Sequence, residues 1–597
     1  MCGIAGHFSS HPHSINQLAV LTALAHRGPD SQALWQGANG LLFHSRLSII
    51  DTDARANQPF SDPTGRFVLV FNGEIYNYQT LKATLNVEWQ TSSDTELLLY
   101  WLINYGVTRL HELEGMFAFA FYDNKTEDML IARDRFGKKP FYTYLQDGVF
   151  SFASEVRVLL QMHPNLKTVS RQKLSNWLFW QTIPGGCLID GIEELAPGHF
   201  FKLKNEKVLE HGSYLQTNPY SGINPSRKEA LISIKEKVTS AIEKRLVADV
   251  PFASFLSGGV DSSIITAVAA QRLGKDLHTF TLSFDESQFS EHHIAAEVAK
   301  RYQTQHHEIR LKPRDFLDLL PEGMAAIDHP SGDGLNTYVV SKYTKAAGFK
   351  MALSGIGGDE WFLGYQYFRK MAAWQQKAWM GKFKQISPLV SFKYRKGLEI
   401  SAAVSKFGGA AYAYQRLLFD QASVRSLFGL PNPNLFPSQE KQGFSQALYS
   451  EQEWKYYTQP VLLRDSDQYS MAVGLELRAP FMDGDLVNYA LALSDCLKLG
   501  QRPKDLLISA FESDLPKTVY DRKKQGFTLP WEQWMKTELK EFCGACIYHF
   551  CQRIDNQQLQ KEWSFFLIGK SSLSWSRFWA VVALEHWLES NKIETKN

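Results

Sequence analysis

The chain has 597 residues, too many for a single hydrophobic core, and its 44% hydrophobic content is enough to fill two domains. A formal net charge of +2 with no long run of like charge argues against a nucleic-acid surface or a polybasic membrane anchor, and no apolar run reaches the roughly 18 residues that span a bilayer. Six cysteines in this length suit a reducing compartment, so a cytoplasmic protein with small-molecule partners is expected, with no nucleic acid and no membrane.

The chain opens Met1-Cys2-Gly3-Ile4. Trimming of the initiator methionine leaves Cys2 with a thiol and an α-amine on one residue, and an amine with an ordinary pKa of about 8 is able to take the thiol proton near neutral pH. Over the first 200 residues, short apolar runs at 66–71 and 115–122 end in Asn72-Gly73 and Asp123-Asn124, the pattern of buried strands in a layered sheet domain. The polar, turn-rich stretch 204–227 reads as a linker. Beyond it the spacing predicts a helix over 226–246, a short strand at 251–256, a helix over 262–273, strands at His278–Phe284 and 350–353, and mostly helix from Tyr365 onward. Strand, glycine loop and helix in alternation predict a parallel α/β sheet. The aromatic stripe of Trp575–Ser590 reads as core packing. Cys543, Cys546 and Cys551 fall in a helical stretch without a second ligand pair, and read as structural rather than metal-binding or redox-active.

Two glycine loops carry the chemistry of the second half. Ser257-Gly258-Gly259-Val260-Asp261-Ser262 follows a strand and opens a helix, where free N–H groups and the helix dipole favour a phosphate; it lacks the Gly-Lys-Ser/Thr ending of a Walker A loop. Ser354-Gly355-Ile356-Gly357-Gly358-Asp359 follows another strand. Loops at the carboxyl ends of neighbouring parallel strands meet in one crevice, so Asp261 and Asp359 are placed to share a magnesium ion. Arg522-Lys523-Lys524 supplies cations for a reacting phosphorus or a departing pyrophosphate.

Together these stretches resemble the glutamine-dependent asparagine synthetase family, with Arg27-Gly28-Pro29-Asp30, Arg46-Leu47-Ser48, Phe71-Asn72-Gly73-Glu74, Ser93-Asp94, Arg133-Asp134-Arg135-Phe136-Gly137, Gly357-Gly358-Asp359-Glu360, Ser470-Met471 and Lys524-Gln525-Gly526-Phe527 in order along the chain. The resemblance implies an N-terminal αββα sandwich of the N-terminal-nucleophile hydrolases over residues 1–205 acting as glutaminase, a linker at 206–226, and an ATP-pyrophosphatase synthetase domain over 227–597 with a parallel sheet and many helices. It implies that the Cys2 thiolate attacks the glutamine amide, with Asn72 and Gly73 forming the oxyanion hole and Arg46, Ile50, Glu74 and Asp94 binding glutamine. It places ATP against Leu256, Ser257, Gly258, Gly259, Asp261, Ser262, Leu282, Ser354 and Gly355, Mg2+ on Asp261 and Asp359, and Lys524 at the reacting phosphorus. A carboxylate is adenylated, ammonia crosses an internal tunnel and AMP is displaced; the resemblance allows a homodimer.

Two positions depart from the pattern. Members usually carry Asp or Glu where Ile356 stands, and many have Arg in place of Gln468. An isoleucine neither accepts a proton nor pairs with an ammonium, and loss of a general base costs on the order of 10² to 10⁴ in rate. The expected reaction is therefore aspartate to asparagine with AMP and pyrophosphate released, with a second reading, favoured by Ile356, in which another carboxylate such as a sugar acid or a natural-product intermediate is amidated. A glutaminase or nucleotide-binding regulator without synthesis would lack Cys2, Asp261, Asp359 or Lys524, and all four are present.

Overall fold

A computed structural model describes residues 2–9, 15–183, 185–215, 222–284, 292–389, 392–435, 443–522 and 529–596. The first half is built on two six-stranded antiparallel sheets. One centres on Gly3–Ser9, flanked by Gly40–Arg46 and Val149–Ala153; the other centres on Gly115–Asp123 and Asp128–Arg133, with Phe67–Ile75 beside Gly115–Asp123. Their facing sides enclose Ile4, Leu42, Val70, Ala118, Ile131 and Phe152. Helices Gln17–Leu24 and Val156–Met162 pack on the first sheet and Asp94–Tyr105 on the second, giving the expected αββα layering. Phe67–Ile75 is covered on both sides, which is why it reads as one apolar run rather than as an alternation.

The stretch read as a linker is in part an edge strand. Lys207–Ser213 pairs antiparallel with His199–Lys204 and extends the second sheet past residue 205. Its residues are mostly exposed, with Val208 and Gly212 half-buried, and the polar composition of such an edge conceals its pairing. Part of the remaining linker, 216–221, lies outside the described residues.

The second half contains a five-stranded sheet in the order Gln305–Leu311, His278–Phe284, Ala253–Phe255, Met351–Leu353, Glu476–Arg478, every pair parallel. The helix expected at 226–246 is Arg227–Lys244, opened by a capping box in which the Ser226 hydroxyl accepts from Glu229 N and the Glu229 carboxylate accepts from Ser226 N. Helix Lys540–Ile554 buries Cys543, Cys546 and Cys551. Burial pushes the Cys546 thiol up to about 12, and among the described residues no group of three or more His, Cys, Asp or Glu is placed to hold a metal, so this cluster is core. No helix is long and apolar enough to cross a membrane among the described residues.

The halves share their core. Trp177, Phe179 and Trp180 belong to the same apolar cluster as Tyr414, Tyr456 and Trp579, and the terminal strand Glu594–Lys596 pairs with Thr168–Ser170. On the other side, Asp249 N donates to Ile49 O at 2.9 Å and Asp51 N donates to the Asp249 carboxylate at 2.8 Å. These bonds tie the entry to the parallel sheet to the loop that follows Arg46.

Candidate functional site

Cys2 is buried at the start of strand Gly3–Ser9, beside the end of Phe67–Ile75. Its main-chain nitrogen, the atom that becomes the α-amine after methionine removal, donates to Asn72 Oδ1 at 3.0 Å. Burial pushes the Cys2 thiol up against the opposing pull of the amino-terminal charge, the Leu47 N–H and Arg46, so thiolate formation needs a nearby proton acceptor. Asn72 Nδ2 is buried and has no hydrogen-bond partner among the described residues, which leaves a donor beside the thiol. Gly73 is required by space: a Cβ there would lie 2.0 Å from the Met116 carbonyl oxygen.

Glu74 lies near the Cys2 thiol, and Asp94 lies near Glu74. Asp94 opens helix Asp94–Tyr105 and accepts from Ile75 N at 2.9 Å, while Ser93 caps that helix by accepting from Glu96 N. Burial, with Glu476 close by, raises the Asp94 carboxyl to about 6 and Glu74 well above the usual carboxylate range. The Arg46 guanidinium binds the Asp53 carbonyl at 2.7 Å, Asn57 Oδ1 at 2.8 Å and the Ile50 and Asp51 carbonyls. Its Nη groups are committed to that loop, so a two-pronged grip on a carboxylate requires the 50–53 loop to yield some of these bonds.

In the second half the two glycine loops meet as the strand order requires. Gly258 takes a left-handed φ of 76° and Gly259 caps helix Val260–Leu273. A Cβ on Gly358 would fall 2.3 Å from the Asp261 carboxyl carbon, and one on Gly355 would fall 3.1 Å from Asp261 Cβ. Ser257 and Ser262 hydroxyls lie 3.0 Å apart and close the loop on itself. Leu256 is buried and donates to Phe280 O at 2.9 Å, while Leu282 and Ser354 line the half-buried edge nearby. The Lys504 ammonium sits between the carboxylates at 2.5 Å from Asp261 and 2.7 Å from Asp359. Two carboxylates converging on one cation form an oxygen donor set that also fits a magnesium ion. Arg522 donates to Gly258 O at 3.2 Å, and Lys524 lies outside the described residues.

Ile356 is half-buried, and the cavity beside it runs between the halves. Lys138 and Lys139 from the first half line it with Ser354, Leu463, Ser466, Asp467, Leu477 and Ala479. Its free space of about 10 Å³ is that of one water-sized molecule. Arg27 links this cavity to Cys2, because its Nε donates to the Cys2 carbonyl at 3.2 Å and its Nη groups bind Glu155 at 2.9 Å and Asp467 at 2.8 Å. Gln468 holds a turn: its carbonyl accepts from Asp328 N and His329 N, and its amide donates to Asp465 at 3.0 Å.

Residues 233–589, more than half of the chain, match the Asparagine synthase family, and residues 1–215 match the Glutamine amidotransferase domain. The chain belongs to the asparagine synthase family. Asparagine synthetase (glutamine-hydrolyzing) 1 of Bacillus subtilis (strain 168) is 29% identical over 576 residues, covering 91% of this chain and 89% of that protein. Asparagine synthetase (glutamine-hydrolyzing) 3 of the same strain is 28% identical over 573 residues, with 90% of each chain covered. Amidase chry2 of Gibberella zeae is 25% identical over 610 residues, covering 89% and 90%. As an asparagine synthase family member the chain is a carbon–nitrogen ligase of the glutamine-hydrolysing type, its reaction an ATP-dependent amidation fed by glutamine.

The residues that the resemblance groups together lie near one another in the structure, Cys2 with Asn72 and Glu74, Glu74 with Asp94, and Asp261 with Asp359 across Lys504. Sequence spacing missed Lys504, Arg478 and the Arg27–Asp467 pair, each of which depends on a partner hundreds of residues away; Arg27 and Asp467 are 440 positions apart.

Proposed function

We propose that the chain converts aspartate to asparagine, with residues 1–213 supplying ammonia from glutamine and the half that begins at the Ser226 cap consuming it. Cys2 attacks the glutamine amide and its own α-amine, held by Asn72, takes the thiol proton. Asn72 Nδ2 and the Gly73 N–H meet the developing oxyanion, a stabilisation worth roughly 3–4 kcal/mol per donor. Glu74 and Asp94 receive the glutamine ammonium, and Arg46 with the Ile50 loop receives its carboxylate.

ATP lies along Leu256, Leu282, Ser354 and Gly355, its phosphates over the Ser257–Gly259 loop and Ser262. Asp261 and Asp359 hold Mg2+, which when bound neutralises charge on the departing pyrophosphate. Lys524 has the role of supplying positive charge to the reacting phosphorus. The substrate carboxylate attacks that phosphorus to give an acyl-adenylate and pyrophosphate, and ammonia then replaces AMP. The small cavity between Lys138 and Ile356 lies where the halves meet, and Arg27 bridges from its Asp467 wall to Cys2.

The observation that carries this reading is the presence in one chain of a buried amide donor beside Cys2 that has no partner among the described residues and a carboxylate pair closed on one cation at the second glycine loop. Ile356 favours a second reading, because an apolar side chain lines the cavity where the family places an acid. In that case the acceptor is a carboxylate without an adjacent ammonium, such as a sugar acid. Aspartate-dependent ATP–pyrophosphate exchange, measured against a panel of carboxylic acids with and without an α-amine, separates the two. Exchange with amine-free acids and none with aspartate overturns the first.

A further inference from the structure

Glu74, at the Cys2 pocket, faces a residue from the other half of the molecule. Strand Glu476–Arg478 is the edge of the parallel sheet, and Arg478 extends from it with no exposed surface. Its Nε binds Glu476 at 2.6 Å, and its Nη1 donates to the main-chain carbonyls of Arg245 at 2.9 Å and Val247 at 2.7 Å. These bonds leave Nη2 directed at Glu74 Oε2, 3.5 Å away. Neither of these two atoms has a hydrogen-bond partner among the described residues. The guanidinium fork is what makes this arrangement available, since a lysine is a single point charge and cannot hold the carbonyls and Glu476 while facing Glu74.

The charges around Glu74 are unbalanced. Asp94 approaches from its helix, Glu476 and Arg478 from the strand, Tyr76 follows on Glu74's own chain, and the Cys2 thiol and the amino-terminal charge lie on the remaining side. Burial and the two other carboxylates push Glu74 towards its neutral form, and Arg478 is the side chain that opposes them. A neutral carboxyl binds an ammonium poorly, so the charge state of Glu74 decides how well the pocket takes one.

We propose that Arg478 is a positioning residue of the glutaminase site, contributed by the synthetase half, which aims the Glu74 carboxylate and balances its charge so that the pocket binds the glutamine ammonium. This rests on the reading of Glu74 and Asp94 as ammonium ligands. The pocket is then incomplete without the parallel sheet. The same strand carries Leu477, which lines the cavity beside Ile356, so a single three-residue element borders both sites.

The test is the glutamine KM for hydrolysis by the full-length protein between about pH 5 and 9, for Arg478→Gln, Arg478→Lys and Glu476→Gln. KM rises as pH falls and the carboxylates protonate; because Glu74, Asp94 and Glu476 interact, the inflection belongs to the group. Arg478→Gln moves that rise to higher pH by about one unit, so that KM increases about twofold at pH 7 and about tenfold near pH 5, with the effect on KM rather than kcat. Glu476→Gln removes a repelling carboxylate and moves the rise the other way, while Arg478→Lys falls between wild type and Arg478→Gln. General damage to the fold does not produce shifts of opposite sign. A KM profile of Arg478→Gln that superimposes on wild type, or shifts of the same sign in both directions of charge change, overturns the proposal. Should Arg478→Gln fail to fold, Glu476→Gln decides alone: a downward shift supports the proposal, and no shift or an upward one sinks it. Wild-type protein that hydrolyses no glutamine overturns the underlying reading instead.

Discussion

Each half of the molecule holds two carboxylates near a cation, and the two groups differ in how that cation reaches them. Beside Cys2, Glu74 and Asp94 are buried together with Glu476, and Arg478 stands 3.5 Å from Glu74. At the glycine loops, Lys504 lies 2.5 and 2.7 Å from Asp261 and Asp359, which hold its ammonium charged against the penalty of burial. Around Glu74 and Asp94 positive charge falls short, and burial moves both carboxyls up, whereas Glu476 is held down to about 2 against its burial by the amino-terminal charge, Arg478 and Lys139. The second is matched by its own lysine. A pocket short of positive charge is prepared for a cationic ligand, whereas a matched one takes an anion only together with further cations. That contrast fits an amino acid on one side and a magnesium nucleotide on the other.

The comparison breaks if the halves cannot be disabled separately. The largest effect is expected from Cys2→Ala, which removes the nucleophile: glutamine-dependent amide formation falls by more than about 10³-fold. Synthesis from ammonium stays within about twofold of wild type, since only the first half-reaction uses the thiol. Parallel assays with the two nitrogen donors check this, and equal loss with both rules out two separate sites. Next in size is Asp359→Asn, which leaves Lys504 and Asp261 without their second carboxylate. ATP–pyrophosphate exchange is expected to drop by about 10² to 10³ while glutamine hydrolysis changes by less than about threefold. A comparable fall in hydrolysis means that Asp359 supports the fold of both halves rather than the nucleotide.

How much of this was legible in the sequence depends on the range of the interactions. The strand–glycine–helix order around Ser257 and Ser354 is local, and helices Arg227–Lys244 and Trp575–Ser590 follow their apolar spacing, so loops and elements appear where they were expected. The edge strand Lys207–Ser213 was hidden by its polar composition, because one side of an edge faces water. Arg46 looked like a free carboxylate clamp, yet its guanidinium is bound by the carbonyls of the loop that follows it, which no residue pattern announces. Gln468 stood out as a departure at the acceptor side, and its amide instead fixes the Asp328–His329 backbone. The pairing of Lys504 with Asp261 and the reach of Arg478 to Glu74 are products of the tertiary fold, with partners drawn from distant segments that share no local signal.

The smallest expected effect sharpens the comparison through pH. Asp94 has its carboxyl raised to about 6, chiefly by burial, so it is ionised above that pH and protonated below it. An ammonium ligand is attracted by the ionised form alone. The glutamine KM for hydrolysis is therefore expected to be flat above about pH 7 and to rise about tenfold for each unit below about 6. Asp261 and Asp359 face a lysine that remains charged throughout this range, so the KM for ATP in pyrophosphate exchange should show no matching rise between about pH 5.5 and 8. Substituting Asp94→Asn removes the titrating group, and with it a large share of the pH dependence, at the cost of a higher KM at all pH values. If the two substrates instead show the same inflection, the carboxylates of the two halves are not held in different charge environments, and the contrast between an unmatched and a matched pair fails.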